Sequence, residues 1–296
     1  MANAARQRVP TASRQVLRVA APVSWIAIAL CGCSINLGSL TPSADKDEPP
    51  RLISSSNIAA LSDTIKSDPN NPLAYNARGA ALAQAGRTEE ALADFDRAIS
   101  LDANYAPAYA NRGHAYRQTR RLDLAMADYQ HAIALDANHA PAYLGRGLVH
   151  KERNQPQEAI EDLTKAIALG PDGAEAYYNR GLVYQSEKQD QQAIEDFTAA
   201  NGLMPQQADP LVARAMSYLA LDKTRQAAAD LDEAVQTNPQ NAQAWITRGL
   251  VYERLGDKTR SVGSYARAIT LRPRDEAARS GFARVGGRPG QSYDTF

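Results

Sequence analysis

The sequence predicts an all-α protein built as a solenoid of six helical hairpins, with a capping helix at each end. Three observations predict this fold. The same kinds of residue recur every 34 positions through most of the 296-residue chain. Within each period, the small and large apolar residues are three or four positions apart, which places them on one face of a helix. A period of this length is typical of helical repeats that stack on one another.

Each period opens with an aromatic residue four positions before a small one. The small residue allows two helices to approach closely, and the aromatic ring fills the space beside that contact. The fifth period departs from the pattern, so we expect looser packing there. The six pairs are Tyr75 and Gly79, Tyr109 and Gly113, Tyr143 and Gly147, Tyr177 and Gly181, Leu211 and Ala215, and Trp245 and Gly249.

The second half of each period has its own apolar positions. Sixteen positions after the aromatic residue stands a small residue, four positions later a large apolar one, and three positions later always alanine. Two helices of about 13 residues and a short turn fit one period. The large apolar residues are Phe95, Tyr129, Leu163, Phe197, Leu231 and Tyr265, and the alanines are Ala98, Ala132, Ala166, Ala200, Ala234 and Ala268.

These positions resemble the tetratricopeptide repeat (TPR), and the resemblance covers six consecutive units. It implies a right-handed α-solenoid, or superhelix, of helix-turn-helix units whose first helices line a concave groove. The units are residues 72–105, 106–139, 140–173, 174–207, 208–241 and 242–275.

Both ends of the array are predicted to carry a capping helix, because terminal repeats need a solvated outer face. Residues 57–68 read as a lone second helix, and residues 275–285 as a charged C-terminal cap. The whole solenoid is predicted to span residues 57–286. The glycines and proline that follow predict a disordered tail over residues 287–296.

The first 32 residues are predicted to be a signal peptide. Four arginines and no acidic residue precede an uncharged apolar run at 19–30, which is short for a membrane span. The last residue of the run, Leu30, is followed by Cys31, Gly32 and Cys33. These four residues resemble the lipobox of bacterial lipoproteins. That resemblance implies lipidation of Cys33. The alternative is an uncleaved anchor in the inner membrane.

The residue after the cysteine is Ser34, and by the lipoprotein resemblance it favours the outer membrane, facing the periplasm, over retention at the inner membrane. Residues 33–56 are predicted to be a flexible tether. Both cysteines lie at the processing site, so no disulfide is expected in the array.

Charge and motif content exclude several functions. Lys and Arg number 33, as do Asp and Glu, so no net charge attracts nucleic acid. A repeated arginine, from Arg78 to Arg248, is expected to pair with a repeated aspartate, from Asp94 to Asp230. The four histidines lack metal-ligand spacing. No catalytic residue, metal site or cofactor is predicted.

The concave groove is the predicted binding surface. In the TPR family, the residues one and five positions after the aromatic residue face it. Polar and small residues stand there in the first two units, and apolar ones in the last four. The predicted partner-binding residues are Leu144, Leu148, Tyr178, Leu182, Val212, Met216, Ile246 and Leu250. We expect an extended peptide or an amphipathic helix as the guest.

Two classes of function remain at this point. The first is a non-catalytic scaffold, lipid-anchored in the bacterial envelope, that binds an envelope protein. The second is an accessory or regulatory subunit of an envelope enzyme, such as a cell-wall hydrolase, protease or glycosyltransferase system. Only a predicted cap and a tail follow the sixth unit, so we expect no catalytic domain there. Self-association as a homodimer is a variant of the scaffold hypothesis.

Overall fold

The computed structural model describes residues 50–293, and their side chains from residue 57 onward. All of these residues lie in one compact unit of the chain. The predicted signal peptide, Cys33 and the tether up to residue 49 lie outside the described residues.

Within the described residues the fold is helical throughout, with fourteen helices and no strand. The helices are α1 Pro50–Ser67, α2 Pro72–Gln84, α3 Thr88–Leu101, α4 Ala106–Gln118, α5 Leu122–Leu135, α6 Ala140–Glu152, α7 Pro156–Leu169, α8 Ala174–Ser186, α9 Asp190–Leu203, α10 Asp209–Ala220, α11 Thr224–Thr237, α12 Ala242–Arg254, α13 Lys258–Leu271 and α14 Glu276–Arg284. Helices α2 to α13 form six hairpins in tandem, so the predicted fold class is confirmed.

The hairpins stack in chain order. Each helix packs on the next one, and each first helix (α2, α4, α6, α8, α10, α12) also contacts the first helix of the following unit. No contact of this kind joins two second helices in the described part of the chain. The first helices are therefore more closely spaced than the second helices, and they form the inner side of the curve.

The core follows the repeated positions. The large apolar residue of each second helix is almost fully buried, and the alanine three positions later is buried with it. A Cβ atom on Gly181 would lie 2.7 Å from the Phe197 ring, which explains why glycine is needed there. Leu211 and Ala215 of the fifth unit are both fully buried. The looser packing expected in that unit is not seen, because Leu211 and Ala215 lie in one buried cluster with Leu231, which has no aromatic ring to clash with the Ala215 methyl group.

The turn between the two helices of a unit needs one residue with positive φ. Glycine provides it in the first and sixth units, as Gly86 and Gly256. The four middle units place a residue with a side chain in the same conformation. These residues are Arg120, Asn154, Lys188 and Asp222.

The N-terminal cap begins earlier than predicted. Helix α1 starts at Pro50, inside the segment predicted to be a tether up to residue 56. Proline is tolerated in the first turn of a helix, and no glycine or proline follows before Pro69. Local sequence therefore allows the helix to extend back to Pro50.

Residues 287–293, part of the segment predicted to be a disordered tail, contact α14. The rings of Tyr293 and Phe282 meet edge to face, with centroids 5.5 Å apart. The backbone N–H of Arg288 donates a 2.6 Å hydrogen bond to the Tyr293 hydroxyl. One aromatic residue therefore ties a glycine-rich segment back onto α14.

Candidate functional site

The inner surface formed by the first helices is the candidate functional site. It divides into a polar part, over the first units, and an apolar part, over the last ones. Each first helix has 12 or 13 residues and contacts the first helix of the next unit, so successive first helices lie side by side.

The eight predicted groove residues differ in their accessibility. Leu148, Val212 and Ile246 are only 5–8% exposed, because neighbouring first helices pack over them. These three belong to the core, so the prediction that they line a free surface is wrong. Met216 is 47% exposed. The remaining four, which are Leu144, Tyr178, Leu182 and Leu250, are partly exposed.

The first two units join through side-chain amides on this surface. The Asn111 side chain donates to Oδ1 of Asn76 at 2.9 Å, and Asn76 donates to the Tyr105 hydroxyl at 3.4 Å. These bonds satisfy the buried amide of Asn76. They stabilise the stacking of units and leave few free polar groups for a ligand.

A cluster of charged side chains crosses units two to four. Arg117 donates to Glu152 at 2.9 Å, and the ammonium group of Lys151 donates to the Asn179 side chain. Burial lowers the pKa of Lys151, and the nearby positive charge of Arg117 lowers it further. This cluster is a polar junction between units, with both signs of charge present.

The histidines behave as packing residues. Burial lowers the pKa of His114 to about 4, so it is neutral at pH 7. The Nδ1 atom of His150 lies 2.9 Å from the side-chain oxygen of Gln155. Among the residues described, no group of three or more His, Cys, Asp or Glu side chains is placed to hold a metal ion.

The repeated arginines pair with the repeated aspartates within the first five units. Arg146, for example, donates from Nε and Nη2 to the two carboxylate oxygens of Asp162 at 2.8 and 2.7 Å. The third guanidinium nitrogen, Nη1, often donates to a side chain of the preceding unit. In Arg112, for example, Nη1 donates to Oδ1 of Asp96 at 2.6 Å. These arginines hold three helices together, and they do not form a free basic stripe.

Two exposed leucines at the edge of the array were missed by the sequence analysis. Leu221 and Leu255 directly follow the first helices of units five and six and are 38% and 39% exposed. They occupy the same position in successive repeats, where the earlier units have Ala85, Thr119, Arg153 and Glu187. The change from small or polar residues to leucine at this one position could have been read from the sequence.

These features define a helical-repeat protein with an elongated inner surface. Profiles of the tetratricopeptide repeat match it over residues 60–139, 147–207 and 212–276, which is more than half of the chain. The chain therefore belongs to the tetratricopeptide repeat family. Members of this family are protein interaction modules. No curated protein matches the chain at a significant level.

Several solved structures share the fold. One is the APC/C hetero-tetramer Cut9-Hcn1, with 19% identity over 79% of this chain and 46% of that chain and a TM-score of 0.67. Another is PilF of Pseudomonas aeruginosa, with 23% identity over 72% of this chain and 97% of that one and a TM-score of 0.66. A third is YrrB, described as a TPR protein with an unusual peptide-binding site, with 24% identity, 63% and 96% coverage and a TM-score of 0.50.

At these identities the likenesses show the fold alone. The chain spans 46% of the length of the chain it matches in the Cut9-Hcn1 structure. Helices of the described segment are all too short or too polar to cross a membrane.

Proposed function

We propose that this protein is a non-catalytic scaffold that binds an apolar peptide or amphipathic helix on the inner surface of units three to six. The observation that carries the proposal is the accessible apolar set Leu144, Tyr178, Leu182, Met216 and Leu250. These side chains lie on four successive first helices. An apolar surface of this length favours a long guest that contacts several units.

We further propose that the array is attached to the bacterial envelope by lipidation of Cys33, at the periplasmic side of the outer membrane. The support is the sequence before the cysteine, with its arginines, its apolar run and the Leu30 to Cys33 motif. The partner would then be another envelope protein.

The binding proposal is tested with the double variant Met216→Glu and Leu182→Gln. Neither residue is buried, so the array is expected to stay folded, whereas a charge at Leu148 would lie in the core. The matched control is Leu124→Glu, because Leu124 is 50% exposed but lies on a second helix. Proteins cross-linked to each variant in intact cells are identified by mass spectrometry.

The expected result is that the parent and the control capture the same envelope protein and that the double variant loses it. Equal capture by all three proteins would exclude the inner surface as the binding site. Circular dichroism on each purified protein establishes that the helical content is unchanged.

The anchor is tested separately with Cys33→Ser. We expect this variant to leave the membrane fraction and to lose the mass of the acyl chains. A variant that still sediments with membranes at an unprocessed mass would support the alternative, an uncleaved signal anchor.

A further inference from the structure

The two end helices of the array are complementary halves of one repeat. Helix α1 stands one period before α3, so it is a second helix without a first one. Helix α14 stands one period after α12, so it is a first helix without a second one. In each full unit, the first and second helices form an extensive contact that α1 and α14 both lack in the described chain.

The face of α1 that a first helix would cover is open to solvent. Asn57, Ala60 and Thr64 are exposed. They occupy the positions of Ala91, Asp94 and Ala98 in the first full unit, all of which are buried by α2. Helices α1 and α3 differ because α2 covers this face of α3, whereas no described first helix covers the same face of α1.

The contact residues on the two end helices match a pair that the array already contains. In the fifth unit, Ala215 of the first helix and Leu231 of the second helix are both fully buried. The equivalent residues are Ala283 of α14 and Leu61 of α1. A hairpin composed of α14 and α1 would therefore repeat the small-to-large contact of the fifth unit.

The charged positions of the repeat are also apolar at both ends. Where a full unit has an arginine on its first helix and an aspartate on its second, α14 has Phe282 and α1 has Ala60. At these two positions, therefore, docking would bury no charged group, and burying an unpaired charge is what would oppose association.

The C-terminal tail covers part of this face of α14, where it buries Phe282 and leaves Ala283 exposed. Arg279, Phe282 and Ala283 line a cavity of about 760 Å³ together with the tail residues Gly287 and Tyr293. A Cβ atom on Gly287 would lie 2.4 Å from the Phe282 ring. The tail therefore packs where the second helix of a seventh unit would lie.

We propose that α14 is a docking site for helix α1 of a second copy of this chain, and that residues 286–293 obstruct it by packing against Phe282. Docking would complete a seventh hairpin from two molecules. The contact joins different surfaces of the two copies, so it would continue from molecule to molecule and form an open chain of arrays. This inference concerns the ends of the array and does not depend on the proposed function of its inner surface.

The test compares the soluble segment 38–296 with the same segment truncated after Val285. These residues form one unit by their internal contacts. Light scattering coupled to gel filtration measures the mass of each protein at concentrations up to on the order of 100 µM, because contacts of small area are weak. We expect the longer segment to remain monomeric and the truncated one to increase in mass with concentration.

A second variant keeps the tail and displaces it. Gly287→Val places side-chain atoms against the Phe282 ring, which should push the tail off α14. The mass of this untruncated variant should therefore also increase with concentration, although no residue has been removed. If both proteins stay monomeric over the same concentration range, with helical content equal to that of the parent, the proposal is wrong.

The interface is located by one substitution in α1. Leu61→Glu in the truncated protein should restore the monomer, because Leu61 is the residue expected to contact Ala283. Leu73→Glu is the matched control, since Leu73 is 59% exposed and lies on the neighbouring helix α2. Association that survives Leu61→Glu would place the contact elsewhere and overturn the proposal. Thr64→Ala should strengthen association, because every full unit has alanine at that position.

Discussion

Units four and six share one backbone plan but use their repeated arginine in opposite directions. In unit four, Arg180 holds both oxygens of Asp196 on its own second helix at 2.8 and 2.7 Å, and Nη1 donates to Thr164 of the preceding unit at 2.9 Å. In unit six, Arg248 Nε donates to Asp232 of the preceding unit at 2.7 Å, and Nη1 donates to Ser264 at 2.8 Å.

The comparison shows that the arginine needs one carboxylate within reach and that either neighbouring helix can supply it. Asp196 and Ser264 occupy the same repeat position, as do Thr164 and Asp232. Because the aspartate has moved from one position to the other, the arginine–aspartate ion pair lies within unit four but at the junction between units five and six. Units five and six are thereby joined more firmly, and this region belongs to the largest apolar core of the described chain.

The largest expected effect is that of Asp232→Ala. Arg248 is 4% exposed, so its charge would remain buried after the carboxylate is removed. We expect the free energy of unfolding to fall by about 3 kcal/mol, measured by urea denaturation. Asp196→Ala should cost less, because the Arg180 side chain is 17% exposed and its charge is better solvated once the carboxylate is removed.

The control for this prediction is the double variant Asp232→Thr and Ser264→Asp, which gives unit six the arrangement of unit four. Most of the lost stability should return. A double variant as unstable as Asp232→Ala would mean that the two directions are not interchangeable.

A second difference concerns the residue that meets the buried ring of each second helix. Tyr265 of unit six packs against Gly281, where a Cβ atom would lie 2.3 Å from the ring. After Phe197 of unit four the same position holds Ala213. We expect Gly281→Ala to lower the free energy of unfolding by about 2 kcal/mol through overpacking. Ala213→Gly should change it by less than half as much, and equal losses would contradict this account.

Tyr265 of unit six has a hydroxyl group that titrates, whereas Phe197 of unit four has none, so the two units should differ in how their stability depends on pH. Burial raises the pKa of Tyr265 to about 12, and its 3.0 Å hydrogen bond to Glu253 contributes. Because the folded pKa lies above the unfolded value near 10, this stabilisation is complete below pH 10 and is lost as the pH rises toward 12. Tyr265→Phe, which copies Phe197, should make the loss of stability between pH 9 and pH 11 smaller by about 1 kcal/mol. Parallel curves for the two proteins would exclude the tyrosine as the source.

The smallest expected effect lies in the turns. Lys188 of unit four has φ of 60°, whereas unit six has Gly256 at the equivalent position. A residue with a side chain is strained in this conformation, so Lys188→Gly should raise the free energy of unfolding by about 0.5–1 kcal/mol. Thermal unfolding measures it, and Lys165→Gly within helix α7 is the control that should destabilise.

The sequence predicted much of the fold and less of the candidate site. Glycine and alanine positions, such as Gly181 and Ala200, depend on contacts inside one hairpin, and these repeat with the sequence. Whether a groove residue is free depends on the neighbouring unit. Leu148 and Leu182 occupy the same repeat position, yet Leu148 is buried and Leu182 is partly exposed. Spacing within one repeat cannot distinguish them.

By itself, the sequence determined the fold class, the six hairpins and the pairing of arginine with aspartate, because these depend on a period that is written in the chain. Only the tertiary structure decided which groove residues are accessible, which neighbour Arg248 binds and how the tail packs on α14. Those outcomes depend on distances between residues of different units, and such distances are set by how closely the helices pack.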